Sequence, residues 1–433
     1  MQITRLKIEY AFLYFTVISL VVTDALTVIE INGTFNYQLQ YGTYIIAFLN
    51  YISVFIFFRI KTLYGLSDVN KSVVICYNIW LFYLIFSLFR GFYLAEDYWS
   101  FKFFSLESVL FTLIALVFYL GQNLTFFWSI LQFYLKKILL FGFLLIPLTI
   151  LTDSELYGRL MLPTVIFIIF IPYLKRKWVI LILTVVTAVV LVNSSWRANL
   201  IKIAISFLIV SVYFFRRFFN KTIITIIWLS FFITPIIFLY LGLSGNYNLF
   251  QEASKNEDYT SKGSTGEEES LSADTRTFLY EEIILDVAIN EGIIFGKSPS
   301  QGYISNFFYD TGGAVKDLRY KSEVHILNLF LYFGIFGVLL YLILILIVSY
   351  LAIFKSNNWL AKMLGLLISS RFMMAFIEES TTYDLNYYFF WLLIGLLSSN
   401  QFRILNDKEI SVWLLHGPKF LKFKYLQAHI EDK

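Results

Sequence analysis

The chain has 433 residues, of which 58% are hydrophobic, 20% aromatic and only 15% charged. Soluble chains run nearer ~45–50% apolar and ~25% charged, so this composition excludes a pair of soluble domains and implies a polytopic membrane protein. The formal net charge of +4 raises the question of nucleic acid, but its placement along the chain follows membrane topology and gives that partner no support.

A crossing takes ~20 mostly apolar residues. In chain order twelve segments are candidates, centred on residues 11–29, 42–58, 73–93, 104–120, 138–151, 160–174, 178–192, 198–215, 222–243, 326–354, 360–377 and 386–399, the fifth to seventh being short. The expected fold is therefore an all-α polytopic membrane protein. Helices 1 to 9 occupy residues 1–243, a large loop 244–322, helices 10 to 12 residues 323–400, and a tail 401–433. No small-residue cleavage pattern follows the first span, which reads as a retained helix rather than a signal peptide.

Basic residues gather in alternate connections: Arg5 and Lys7; Arg59, Lys61 and Lys71; Lys136 and Lys137; Lys175, Arg176 and Lys177; Arg216, Arg217 and Lys221; Lys355; and the tail after Arg403. The intervening connections carry Glu30, Glu96 and Asp97, Asp153 and Glu155, or Glu378, Glu379 and Asp384. By the positive-inside rule both termini are cytoplasmic and residues 244–322 lie outside.

Within that loop, residues 244–273 are rich in Ser, Gly, Asn and Glu and should be mobile. From Asp274 the pattern changes: Leu279, Ile283 and Val287 recur every fourth residue, as do Tyr280, Ile284 and Ala288, and Gly292 ends the run. This predicts an amphipathic helix near 274–292, capped at Ser272 or Asp274 and lying on the membrane surface. Phe295 to Tyr303 reads as a tight, glycine-bearing turn. The apolar run after His325 is 29 residues long; as a helix it would extend ~43 Å, too long for one perpendicular crossing. Gly334 and Gly337 stand where a bend would fall, so the expectation is a short helix at the outer surface, with His325 near the water boundary, leading into a span.

The one cysteine, Cys76, lies inside the third span, and no Cys/His cluster suggests a metal or other cofactor. Ionisable residues at the ends of spans are the candidates for chemistry. His325 is the only histidine outside the tail and is a natural general base, the alternative being a cap bonded to a carbonyl. Arg197 breaks the positive-inside pattern by opening a span on the outer side; it either holds an anion or snorkels beside Trp196. Arg276 can fork onto a diphosphate or pair with Glu281 or Glu282. Arg319 is a phosphate ligand or a surface charge among Lys316, Asp317 and Lys321. Arg371 and Arg90 each precede a pair of acidic residues. Arg90 is read as structural, and Arg371 is left open between substrate binding and a structural pair. Lys202 lies about 140° around the helix from Arg197 and is not assigned. Outward cations with one histidine suit an anionic lipid-phosphate donor and a hydroxyl nucleophile that must lose a proton.

Ser194-Ser195-Trp196-Arg197-Ala198-Asn199, Asp274-Thr275-Arg276 leading to Phe295-Gly296, Gln301-Gly302-Tyr303, and Ser322-Glu323-Val324-His325 before Leu331-Tyr332-Phe333-Gly334-Ile335-Phe336-Gly337 occur in an order that resembles the O-antigen polymerase and ligase superfamily. The resemblance covers residues 190–345, and the rest only as a similar number of spans. It implies metal-free transfer of a glycan from undecaprenyl diphosphate to an acceptor hydroxyl, usually with inversion. By this resemblance Arg197 and Arg276 would bind the diphosphate, and His325 would act as base with Arg319 supporting it; Arg371, outside the matched region, joins the diphosphate set as a cation within span eleven. Where ligases often carry a histidine pair or a His-Asn step, this chain has Val324-His325. The expectation is a polymerase joining lipid-linked repeat units into an O-antigen or capsule. Its partners would be the undecaprenyl-diphosphate-linked oligosaccharide, membrane lipid and a chain-length regulator protein. The alternatives are the related ligase and, from another class, a flippase for lipid-linked oligosaccharide.

Overall fold

The computed structural model describes residues 2–31, 40–64, 69–147, 154–192, 197–243, 260–262, 268–270, 277–305, 318–377 and 382–418. Apart from two two-stranded ribbons, the described elements are helical. Seven helices are long and apolar enough to cross a membrane: α1 (Gln2–Ile31), α2 (Gln40–Tyr64), α3 (Lys71–Tyr93), α4 (Tyr98–Gln122), α5 (Leu124–Leu145), α10 (Lys221–Leu243) and α12 (His325–Phe354). Between α5 and α10 come the shorter α6 (Ser154–Met161), α7 (Thr164–Tyr173), α8 (Arg176–Val192) and α9 (Arg197–Phe214). The long loop contributes α11 (Thr277–Ile289), and α13 (Trp359–Met374), α14 (Leu385–Ser398), α15 (Asn400–Ile404) and α16 (Asp407–His416) complete the chain.

The fourth and fifth crossings depart from the sequence reading. Lys136 and Lys137, expected in a connection, lie within α5, in a π-helical stretch over Tyr134–Ile138. The real hinge is Asn123, whose side chain accepts from the backbone N–H groups of Thr125 and Phe126 at 2.9 and 3.3 Å and so starts α5 one residue after α4 ends. Such an N-cap satisfies orphan donors without a polar loop, leaving no charge signal to read.

The core is built around α14, every residue of which is buried. A helix apolar all round belongs inside a bundle. It packs on the lower half of α4, where the backbones approach at Gly121 and Gly395. At 14 residues it is ~21 Å long, and α13, with 16, is ~24 Å, both short of a ~30 Å hydrocarbon core.

Helix α12 is broken. Gly334 has φ 64° and ψ −170° inside it. His325 and Tyr341 would be ~24 Å apart on a continuous helix, yet their rings are 5.4 Å apart, so residues 325–333 fold back along the second leg. The break is closed by the turn after α11. Ile335 and Phe336 donate to the carbonyls of Ile293 and Ile294 at 2.9 and 3.2 Å, and Lys297 donates to Leu331 at 2.8 Å. The Tyr83 hydroxyl donates to the Phe333 carbonyl at 2.6 Å. Gly296, at φ 74°, faces Gly334; a Cβ on Gly334 would stand 2.3 Å from the Ile294 oxygen. Arg90 then pins the turn to α3, donating to the carbonyls of Phe295, Gly296 and Lys297 at 2.6, 2.8 and 3.0 Å. The bend expected at Gly334 is present. The surface helix before it is instead a re-entrant leg, because its start is carried down along α4.

The buried stripe of α11 is Leu279, Tyr280, Ile283 and Val287, close to the expected one, but it packs on α12 and on β3 (Tyr303–Ile304). The expectation of a helix resting on the membrane surface by that stripe is corrected accordingly; the exposed side carries Leu285 and Ile289. Strand β3 pairs antiparallel with β4 (Leu318–Arg319). A second ribbon, Thr260–Lys262 with Glu268–Ser270, stands within the polar segment read as mobile. On the opposite face α16 carries a capping box, with Asn406 accepting from the Glu409 N–H and the Glu409 carboxylate accepting from the Asn406 N–H. It buries Ile410, Trp413 and Leu414, and Trp128 on α5 donates to the Leu414 carbonyl at 3.1 Å.

Gly334→Ala adds left-handed strain to a backbone clash and is expected to cost about 2–5 kcal/mol. Gly242→Ala, where nothing lies within 4 Å of the added carbon, should leave stability unchanged or slightly raised. Thermal unfolding of both variants in detergent checks the pair, and equal midpoints would refute the described break.

Candidate functional site

The segment leading into α12 descends along one face of α4. Tyr320 stacks on Phe103 at 5.0 Å between ring centroids, the Lys321 ammonium pairs with Glu107 at 3.1 Å, and His325 meets Phe111 edge-on at 6.2 Å. Phe103 to Phe111 is ~12 Å of helix, so His325 lies that far below Tyr320. Its expected place at the water boundary is corrected for this reason. A π-helical stretch, Phe104–Ser108, interrupts α4 beside this descent. Asn328 fixes the turn: its Oδ1 accepts from the Ser322 N–H at 2.7 Å and its Nδ2 donates to the Ser322 carbonyl at 2.9 Å. The Ile326 N–H donates to Ala375 at the end of α13 at 2.9 Å.

His325 is 1% exposed. Its neighbours are aromatic rings, Tyr341 at 5.4 Å and Tyr387 at 5.8 Å, and neither ring nitrogen has a hydrogen-bond partner among the described residues. A small cavity of about 10 Å³ opens between His325, Tyr341, Arg371, Asn386, Tyr387 and Phe390, near the least space that one water-sized group needs. Arg371 donates to the Asn386 Oδ1 at 2.7 Å. Two residues before Asn386, Asp384 caps α14, accepting from the Tyr387 N–H at 2.6 Å and from the Thr382 hydroxyl at 2.9 Å. Asp384 lies within electrostatic reach of Lys202 and Arg371.

The structure thus brings His325 and Arg371 to one cavity. Arg319 is placed elsewhere: it sits on β4, 3.6 Å from Glu323 and 28% exposed, as register partner of the buried Tyr303. Burial pushes the Tyr303 phenol up to about 12, and Arg319 opposes that shift. Arg197 is the first residue of α9, with its side chain outside the description. Arg276 lies outside the described residues, as do Glu378 and Glu379 and the proposed caps Ser272 and Asp274. Arg90 is structural as read, but its partners are loop carbonyls rather than Glu96 and Asp97. Sequence reasoning missed Asn328, Asn386, Tyr341 and Tyr387. Asn328 did leave a signal, a lone amide three residues after the histidine inside an apolar run.

A second cavity of about 410 Å³ lies at the loop-bearing end of α3, lined by Phe86, Arg90, Glu291, Phe295, Lys297 and Gln301 among others. It is separate from the histidine. No family model, curated protein or solved structure matches this chain.

His416 is exposed on α16 while His325 is enclosed. Diethylpyrocarbonate at neutral pH should therefore modify His416 readily and His325 much more slowly, as followed by peptide mass spectrometry. Equal rates would contradict the enclosed position.

Proposed function

We propose that this protein is a glycosyltransferase that joins undecaprenyl-diphosphate-linked repeat units into a surface polysaccharide on the outer face of a bacterial plasma membrane. The single observation that carries the reading is the enclosed His325 beside Arg371. A base whose two ring nitrogens have no partner among the described residues lines a water-sized cavity together with a cation, inside the helix bundle. The orientation, with termini cytoplasmic and the long loop outside, follows from the charge pattern.

In the proposed step a hydroxyl oxygen at the non-reducing end of a fresh lipid-linked unit bonds to the anomeric carbon of the growing chain. The bond from that carbon to the diphosphate oxygen breaks, and its electron pair leaves with undecaprenyl diphosphate. The hydroxyl proton passes to the imidazole of His325. Arg371, with Arg197 and Arg276 from the loop side, would meet the charge that develops on the leaving diphosphate. Asn386 holds the Arg371 guanidinium. The cavity has the volume of about one water-sized group, so its walls must part for the two sugars to meet beside the imidazole. Arg319, on its ribbon with Glu323 and Tyr303, is assigned to supporting the loop end of the re-entrant segment.

A deletion strain restored with wild type or with His325→Ala, read by gel profile of its surface glycan, tests the proposal. Deletion should leave single repeat units, and the alanine protein, at normal membrane levels, should fail to restore long chains. A general base contributes roughly 100- to 10,000-fold, so the loss should be near complete. Long chains stranded on the carrier lipid would mean a ligase, units trapped inside would mean a flippase, and full rescue would remove His325 from the chemistry.

A further inference from the structure

The larger cavity, of about 410 Å³, lies at the edge of the hydrocarbon. Lys71 opens α3 and Lys355 closes α12, and such ammonium groups keep to the water boundary. Arg90 stands ~28 Å of helix from Lys71, and Ile335 ~30 Å from Lys355, each about the depth of a hydrocarbon core. Arg90 holds Phe295, Gly296 and Lys297, and Ile335 holds Ile293. Two spans therefore place the turn after α11 at the opposite edge. Around it the exposed side chains are apolar: Phe86 and Phe89 on α3, Phe336 and Leu339 on α12, and Ile289, Ile293, Ile294 and Phe295 on the turn. The turn thus continues the outward faces of two membrane-length helices. Behind this rim the cavity lining carries both signs of charge, with Arg90, Lys297, Glu291 and Gln301 beside Phe86 and Phe295. Lys297 is closed by Asp286 at 2.6 Å. Arg90 spends three of its five N–H groups on the turn carbonyls. Glu291 has no bond or ion pair among the described residues, and it breaks two local rules. Its φ of 55° is the one positive value outside glycine among the described residues. It stands where a helix end usually takes glycine, the Gly292 N–H beyond it donating to Val287 at 2.8 Å. A carboxylate there also opposes the negative end of the helix dipole. No described neighbour offsets either cost, whereas an ammonium group in the cavity would.

We propose that this cavity seats the head group of a zwitterionic membrane phospholipid of the phosphoethanolamine kind. The phosphate meets the remaining N–H groups of Arg90, the ammonium meets Glu291, and the acyl chains lie along the apolar rim. The volume falls in the range of small-molecule sites. The rim favours an amphiphile over a soluble phosphate ester, and Glu291 favours a head group that carries a cation over a purely anionic one. The site is independent of the transferase reading and stands whether or not that reading does.

The test titrates the purified, delipidated full chain in detergent with phosphatidylethanolamine, phosphatidylglycerol of the same chains, and soluble glycerophosphoethanolamine, reading bound ligand by native mass spectrometry. The wild type should hold phosphatidylethanolamine about two- to fivefold more tightly than phosphatidylglycerol, the scale of one solvent-accessible ion pair. The soluble ester should bind too weakly to detect. Glu291→Gln should remove the preference, and Glu291→Lys should reverse it; the residue is exposed, so both variants should fold. Leu94→Trp, at another lining position, fills the cavity and should lower retention of both lipids at an unchanged melting temperature. A preference that survives in Glu291→Lys, or full retention in Leu94→Trp, would overturn the site and leave only ordinary surrounding lipid. A wild-type preference for phosphatidylglycerol would overturn the choice of head group. Equal binding of the soluble ester would overturn the membrane as its source.

Discussion

The backbone reversal at Gly334 is the constraint on which the rest of the structure depends. Breaking a helix inside an apolar bundle strands amide and carbonyl groups, and each one left unsatisfied costs several kcal/mol. The chain answers with a second irregular segment laid against the first. Carbonyls of Ile293 and Ile294 take the N–H groups that start the second leg, the Lys297 N–H takes a carbonyl that ends the first, and Tyr83 takes another. The partner segment would strand carbonyls of its own, and Arg90 collects three of them. This explains why the Arg90 guanidinium near the end of α3 is spent on loop carbonyls rather than on Glu96 or Asp97. It also explains why the turn from Phe295 to Tyr303 belongs to the bundle rather than to the loop.

Two short helices make the reversal useful. Both α13 and α14 are shorter than a full crossing, and the first turn of the re-entrant leg caps α13 through Ile326 and Ala375. Polar groups that would be costly in a continuous apolar wall collect at that level: Asp384 as a helix cap, Asn386 on Arg371, and Lys202 from α9. Residues that break local rules and are held by several neighbours at once are where a fold departs from its most stable arrangement. Helix α11 closes over the same region, with the Tyr280 hydroxyl donating to Phe376 at 2.7 Å.

Much of this was legible in the sequence, and the failures have physical causes. Apolar runs located helices, the period of four located the buried stripe of α11, and the length of the run after His325 with Gly334 inside it announced a bend. The angle of that bend was not legible. It is set by contacts between residues far apart in the chain, such as Tyr83 with Phe333 and Phe111 with His325, and a φ of 64° permits either a kink or a reversal. Lys136 and Lys137 misled because two adjacent charges resemble a connection, whereas the connection used is a single capped asparagine. Lys202 could be placed by helical geometry relative to Arg197, but whether its side of α9 faced lipid or protein depended on the packing of α13.

The histidine itself separates a structural role from a chemical one. A histidine retained to complete a helix end or fill a core normally spends its N–H on a carbonyl, because a buried polar group without a partner costs about 1–3 kcal/mol. The carbonyls around the re-entrant turn are taken by others: Ser322 by Asn328, Ala375 by Ile326. The imidazole is left among Phe111, Tyr341 and Tyr387, where a phenylalanine would fill the space with no polar cost. What distinguishes the histidine from that phenylalanine is its two unpartnered nitrogens, on a residue that lines a water-sized cavity together with Arg371. Packing alone gives no reason for that choice; the proposed proton transfer from a hydroxyl in that cavity would.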